Sequence, residues 1–287
     1  MARIGIIGGS GLYALEGLTS ARELKLETPF GAPSDALVAG EVGAAQVVFL
    51  PRHGRGHRLS PSEVPYRANV FALKSLGIEW LVSVSAVGSL ALDIQPGTIV
   101  IPDQYIDRTL VRERSFFGGG IVGHVSLADP TCPVLRRALG AAAAASGIAV
   151  RDGGTYVCIE GPAFSTRAES NLYRSWGAHV IGMTGMPEAQ LAREAELHYA
   201  ALALVTDYDC WKAGEAAVSV DAVVAIMRDN IAHVRTILAA LLPALAQESA
   251  EPGCACPHAV KDALITDPGV IPDEQREALA PILGKYL

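Results

Sequence analysis

The sequence predicts an α/β fold, a single domain with a central mixed β-sheet surrounded by helices, and three observations carry that expectation. Short apolar runs rich in β-branched residues alternate with segments of helical period. At 287 residues, half of them hydrophobic, the chain is long enough to bury a large core. Composition does not break before about residue 246, so 1–246 reads as one unit and 247–287 as a linker with a short helical tail.

The strand candidates are Ile4 to Ile7, Gln46 to Leu50, Trp80 to Val84, Thr98 to Ile101, Thr155 to Ile159, His179 to Ile181 and Tyr199 to Thr206. Helical period marks Tyr66 to Leu76, Cys132 to Ser146, Arg167 to Trp176 and Pro187 to Glu196. The longest helix candidate starts at Ser219, whose hydroxyl suits an N-cap with Asp221 in the first turn. It carries Val220, Val223, Val224, Met227, Ile231, Val234, Ile237 and Leu241 along one stripe and should end near Pro243. Gln247 to Pro257 is polar and contains Pro252 and Gly253, which predicts a linker to a short helical segment between Asp273 and Leu287.

Composition excludes several classes of partner. No stretch of about 18 residues is free of charged or strongly polar side chains, so no membrane span is expected. The first residues lead straight into a strand and lack the ordered regions of a signal peptide, which predicts a cytoplasmic protein. A net charge of −7 argues against nucleic acid, whose phosphates demand a clustered cationic surface, and favours a small molecule. The cysteines Cys132, Cys158, Cys210, Cys254 and Cys256 fit no common zinc spacing, so no metal is expected and reduced thiols are the reading. Cys254-Ala255-Cys256 is the exception, close enough for a vicinal redox pair or a strained tail disulfide.

Four segments at strand ends could carry chemistry. Gly8-Gly9-Ser10-Gly11 is a glycine-rich turn where backbone can approach an anion, or simply a tight strand-to-helix turn; it lacks the third glycine of the dinucleotide fingerprint. Pro51-Arg52-His53-Gly54-Arg55-Gly56-His57 gathers four cationic or potentially cationic side chains, costly together unless an anion lies nearby, and the Arg52 fork suits phosphate oxygens. The alternative is a solvated basic loop. Ser83 to Ser89 offers small residues and hydroxyls that let a ligand lie against the main chain. In Thr206-Asp207-Tyr208-Asp209, two carboxylates at i and i+2 of an extended chain share a side and raise each other's pKa, matching purine N7 and a 6-amino group. A divalent metal site or a turn-capping Asp remain open there.

These blocks, with Ile159-Glu160-Gly161-Pro162-Ala163-Phe164-Ser165-Thr166-Arg167-Ala168-Glu169, Gly182-Met183-Thr184, Pro187-Glu188 and Cys210-Trp211, together resemble the 5'-methylthioadenosine phosphorylases of the trimeric purine nucleoside phosphorylase family. The resemblance runs in order from residue 4 to about 245 and leaves the tail uncovered. It implies a homotrimer that uses no cofactor, with inorganic phosphate as co-substrate. Ser10, Arg52, His53, Ser85 and Thr184 would line the phosphate site, and Ala86 and Met183 would flank the ribose. Phe164 would pack on the base, and Asp207 and Asp209 would take N7 and the 6-amino group, Asp207 as the general acid. His124 would reach the 5'-substituent from the neighbouring subunit. Val223 falls where relatives that use ordinary nucleosides place a histidine, and an apolar residue there favours a methylthio group because a buried unpaired hydroxyl costs about 1–3 kcal/mol.

The implied reaction is phosphorolysis of S-methyl-5'-thioadenosine to adenine and 5-methylthioribose 1-phosphate, in purine and methionine salvage. Gly182 and the Gly185-Met186 pair resemble instead the members that act on 6-oxopurines such as 5'-methylthioinosine. Asp207 opposes that alternative, since an ionised carboxylate repels a 6-oxygen where an amide would donate to it. Ser10 and Ser85 stand where many relatives carry threonine, and the hydroxyl survives. A third reading is a non-catalytic nucleotide-binding module, in which paired carboxylates have little purpose.

Overall fold

In the computed structural model, which describes residues 2–9, 12, 17–212, 214, 220–248 and 253–287, four parallel strands form the heart of the sheet. β1 (Arg3–Gly8) lies between β4 (Ala45–Pro51) and β5 (Trp80–Ser89), and β11 (His198–Asp207) flanks β5 on its other side. Ile4 and Ile6 of β1 pack into one core cluster and Ile7 into another, one on each face of the sheet. Strands buried on both faces become near-continuous apolar runs, and these four are buried along most of their length.

The long strand β5 serves two neighbourhoods. Most of it pairs with β1 and β11, while Gly88 and Ser89 at its end pair antiparallel with β10 (Val180–Gly182). The sheet continues in parallel through β9 (Thr155–Ile159) to β7 (Gln104–Arg108). At the opposite edge β3 (Leu37–Val42) pairs antiparallel with both β4 and β2 (Thr19–Leu24). β6 (Ile99–Ile101) joins β11, and β8 (Val150–Asp152) joins β6. Among the described residues, eleven strands thus form one mixed sheet in a single domain, as expected. β2, β3, β7 and β8 have no counterpart among the sequence candidates. β2 is exposed along most of its length and β8 has only three residues, so pairing makes them strands where their own pattern does not.

Helices cover both faces. α1 (Tyr66–Ser75) and α4 (Gly185–Glu194) pack on one side, and α2 (Pro133–Ala145) and α5 (Val220–Leu245) on the other. α3 (Arg167–Ser175) begins in a capping box, with Thr166 and Glu169 each bonding the other's backbone N–H. α5 passes Pro243 and ends at Leu245, while its expected N-cap, Ser219, lies outside the described residues. None of the described helices is long and apolar enough to cross a membrane.

The segment after residue 247 folds back on the body. It forms α6 (Asp273–Ala278) and α7 (Ala280–Leu283), and Val260, Ile271, Leu279, Ile282 and Leu283 are buried in the cluster that holds α1 and α4. Cys256, in the stretch expected to be a polar linker, is almost fully buried in the opposite cluster.

Candidate active site

The carboxyl ends of β1, β4, β5 and β11 converge on a cavity of about 350 Å3, where open α/β sheets place their ligands. Gly9 contributes main chain from the turn after β1. Gly8 is a glycine for packing, since a Cβ there would collide with the Leu12 side chain. Ser10 lies outside the described residues.

The basic segment after β4 separates into different roles. Arg55 turns away and pairs with Glu23 at 2.6 Å on the exposed surface. Arg52 lines the cavity but is buried, and its guanidinium is a scaffold. Nε donates to Glu188 Oε2 at 2.9 Å and Nη2 to Oε1 at 3.2 Å; Nη2 also donates to Ser83 Oγ at 2.8 Å and Nη1 to the Val84 carbonyl at 2.9 Å. The fork expected to hold phosphate therefore grips a carboxylate on α4 and presents a fixed, locally neutralised donor. Burial alone would depress its pKa, but Glu188 outweighs burial and holds the group charged.

His53 and His57 stack with centroids 4.3 Å apart. His53 Nδ1 lies 2.9 Å from the Leu59 carbonyl, a geometry that puts the proton on Nδ1 and leaves Nε2 as the acceptor of a neutral ring. Burial, reinforced by the Arg52 charge, lowers its pKa to about 4.

Ser85, Ala86, Val87 and Gly88 run along the cavity from β5. Opposite them, Met183 and Thr184 come from the turn between β10 and α4. That turn is held by buried Arg112, whose Nη1 donates to the Met183 and Met186 carbonyls, both at 2.7 Å, and whose Nε pairs with Glu160 at 3.0 Å. Tyr156 of β9 places its buried hydroxyl beside Ser85 and Thr184 without a well-formed bond to any protein group. Burial raises its pKa to about 12.

At the other end stand Asp207 and Asp209. The chain does not stay extended between them: Asp207 ends β11 and Asp209 has φ +52, a left-handed turn that aspartate tolerates. The turn lets the Asp209 N–H donate to Asp207 Oδ1 at 2.7 Å, while Thr206 Oγ1 donates to Oδ2 at 2.7 Å. Both carboxyls have raised pKa values. Burial is the main cause for each; mutual repulsion is a minor contributor, acting on Asp209. Gly88 makes room for the pair, since a Cβ there would press on Asp207 Oδ1 and the Asp209 Cβ. No third metal ligand joins these carboxylates among the described residues.

Between the polar ends the walls are apolar. Phe164, half-exposed, stands at the mouth with Ser165, and Ile159, Ile181, Val87, Met227 and Ile231 complete the lining. This suits a flat apolar body with an anion at one end and a hydrogen-bonding edge at the other. His124 is exposed and lines a separate depression with Ser126, Asp129 and His258. The Val223 side chain lies outside the described residues.

Several participants were not assigned from sequence. Glu188 and Tyr199, whose hydroxyl donates to Glu188 Oε1 at 3.2 Å, support Arg52 from α4 and β11, distant in sequence. Met227 and Ile231 read as core stripe, yet line the cavity. Away from this site, Cys132, His198, Cys254 and Cys256 converge, which no spacing announces.

Comparison with known proteins places the cavity in context. The model of the phosphorylase superfamily matches residues 3–243. The chain is 55% identical over 285 residues to the S-methyl-5'-thioadenosine phosphorylase of Geobacter sulfurreducens, covering 99% of each chain. It is similar to the crystal structure of a methylthioadenosine phosphorylase from an antarctic soil metagenomic library, with 50% identity, a TM-score of 0.92, and 98% of this chain and 99% of that one covered. An adenosine/methylthioadenosine phosphorylase mutant from Schistosoma mansoni, solved with methylthioadenosine, aligns at 40% identity and a TM-score of 0.81, over 87% of this chain and 93% of that one. Because the family match spans β1, β4, β5 and β11, whose ends build the cavity, the chain belongs to the phosphorylase superfamily.

Proposed function

We propose that this chain is a pentosyltransferase that cleaves S-methyl-5'-thioadenosine with inorganic phosphate, releasing adenine and 5-methylthioribose 1-phosphate. The observation that carries the reading is the polarity of the cavity, with Arg52, His53, Ser85 and Thr184 toward one end and the Asp207 and Asp209 carboxyls at the other. Full-length relatives that bear the same activity in their names support it. Residues 1–246 form the catalytic unit in this reading, with 247–287 as linker and tail, and no cofactor takes part.

Adenine is a poor anionic leaving group, so the C1'–N9 bond breaks toward an oxocarbenium-like sugar while N7 takes a proton. Burial raises the Asp207 pKa, which suits a general acid toward N7. Asp209, also buried, accepts from the 6-amino group. Phosphate sits against the Ser10, Ser85 and Thr184 hydroxyls and the fixed Arg52, and one of its oxygens attacks C1'. Ala86 and Met183 flank the sugar, and Phe164 covers the base. Positioning of the two reactants and of their charges does most of the work.

A homotrimer extends the reading: His124, exposed on the single chain, would meet the 5'-substituent of a neighbouring subunit, and Val223 would give the methylthio group an apolar wall. The salvage of purine and methionine in the cytoplasm is the setting in which such a reaction serves. An initial-rate panel of methylthioadenosine, adenosine, methylthioinosine and inosine, each with and without phosphate, tests the proposal. Phosphate-dependent cleavage of methylthioadenosine is expected to lead. Full-rate cleavage without phosphate would make the protein a hydrolase, and faster methylthioinosine cleavage would make it a 6-oxopurine enzyme.

A further inference from the structure

We propose that Cys132, His198, Cys254 and Cys256 form a tetrahedral Zn2+ site that fastens the C-terminal segment to the body of the protein. The four ligand atoms lie within 4.8 Å of one another. Cys132 Sγ is 3.7 Å from Cys254 Sγ and 3.4 Å from His198 Nδ1, and Cys254 Sγ is 3.3 Å from the same Nδ1. A tetrahedral ion with ordinary zinc–sulfur and zinc–nitrogen bonds would separate two sulfurs by about 3.7 Å and sulfur from nitrogen by about 3.5 Å. Cys132, Cys254 and His198 therefore stand at three of the corners such an ion needs, with Cys256 Sγ within 4.8 Å of each to supply the fourth. The 3.7 Å between sulfurs is far beyond a covalent bond, and all three cysteines are free.

The surroundings hold the four side chains in place. The His198 ring is buried and stacked on Trp80 at 4.2 Å, which fixes its orientation with Nδ1 facing the sulfurs. The Leu135 N–H, in the first turn of α2, donates to Cys132 Sγ at 3.4 Å and holds the sulfur in position. An independent observation is the electrostatics of Arg193. It is 8% exposed, its Nε has no partner, and its other bonds run to Cys256 Sγ at 3.5 Å and to the Asp129 carbonyl. No carboxylate is paired with it among the described residues, and a buried cation without a counter-charge is costly. Zinc with three thiolates and a neutral imidazole carries one net negative charge, which supplies the missing partner. A cavity lined by Cys254, Cys256, Arg193 and Pro133 offers the ion an entry path.

The ligands come from three places: the N-cap of α2, the first residue of β11 and the returning tail. A metal there closes the chain across the segment between α5 and residue 254 and holds the tail in register. His198 and Asp207 occupy opposite ends of β11, about 30 Å of strand apart, so the ion is structural and takes no part in the reaction.

The test is metal analysis of the full-length protein, purified untagged and without chelator from zinc-replete cells, together with cobalt substitution. About one zinc per chain is expected, as is a thiolate-to-cobalt charge-transfer band with tetrahedral d–d absorption when Co2+ replaces it. Cys254→Ser and Cys256→Ser should each lower zinc affinity by at least about tenfold. Zinc removal should lower Tm and expose residues 246–287 to protease while leaving KM for the nucleoside unchanged. Reduced parent protein that binds neither added Zn2+ nor Co2+ would overturn the proposal. So would a Cys254–Cys256 or Cys132–Cys254 disulfide in protein from zinc-replete cells. The cobalt spectrum is read on the parent chain, so the result does not depend on whether the variants fold.

Discussion

Gly182 and Tyr156 compete for one volume: a Cβ on Gly182 would collide with the Tyr156 hydroxyl and ring and crowd Val87. The glycine that by resemblance points toward 6-oxopurines thus has a steric cause on the neighbouring strand β9. Gly182→Ala should destabilise the protein by about 1–3 kcal/mol through overpacking. Adding Tyr156→Phe should recover part of that loss, because it removes the nearest atom. Urea unfolding of the single and double variants measures both. The ratio of methylthioadenosine to methylthioinosine turnover should hold in Gly182→Ala, and its inversion would return the residue to base selection.

Breaking the Arg52–Glu188 pair should be expensive. Both side chains are only 2% exposed, and Glu188→Gln would leave the guanidinium charged with no counter-charge. A loss of roughly 3–5 kcal/mol is expected by denaturant unfolding. Replacing both residues, Arg52→Met with Glu188→Leu, should recover much of the stability and none of the phosphorolysis. Recovery of activity in that double variant would show that Arg52 only packs.

These cases mark where the sequence is informative. The strands β1, β4, β5 and β11 are visible because burial on both faces gives each a largely apolar run, and site segments at their ends follow from that. β2 leaves no such mark, since an exposed edge strand needs no pattern of its own. Chemistry assembled across long sequence separations is equally silent. Glu188 lies 136 residues from Arg52, and Cys254 lies 122 from Cys132, so no local spacing joins them. The fold also redistributes what looks uniform: of the clustered cations, Arg55 goes to solvent and Glu23 while Arg52 goes inside. The two carboxylates meet through a left-handed residue where an extended chain was expected.

His53 should titrate far from an ordinary histidine. Its folded pKa, about 4, lies below the unfolded value, so the unfolded chain binds the extra proton between the two. The stability this neutral ring contributes is present above about pH 6.5 and is lost as pH falls through about 4. His53→Asn should flatten that acid limb, removing roughly 3 kcal/mol of pH-dependent stability. Phosphate beside Nε2 favours the charged ring, so NMR titration should show the His53 pKa rising when phosphate is added. An unshifted value at saturating phosphate would place the anion elsewhere.

Asp207→Asn separates the base reading from its rivals. The amide keeps the size of the side chain and cannot protonate N7, so kcat/KM for methylthioadenosine should fall by about 10²–10⁴. An amide N–H can instead donate to a 6-oxygen, so methylthioinosine should lose less and its relative use should rise. The pH dependence gives a second readout. Burial raises the folded pKa of Asp207, against the two hydrogen bonds from Thr206 and the Asp209 N–H. The folded protein therefore retains a proton that the unfolded chain has released, and stability declines as pH rises from the ordinary carboxylate value through the raised one. The parent should show a larger decline than the variant, in which only the raised Asp209 carboxyl still contributes to it. The protonated carboxyl is also the form that donates, so kcat/KM of the parent should drop on the alkaline side, a limb absent from Asp207→Asn. Equal turnover of methylthioadenosine by parent and variant would remove Asp207 from the chemistry, even with the base still held by Asp209.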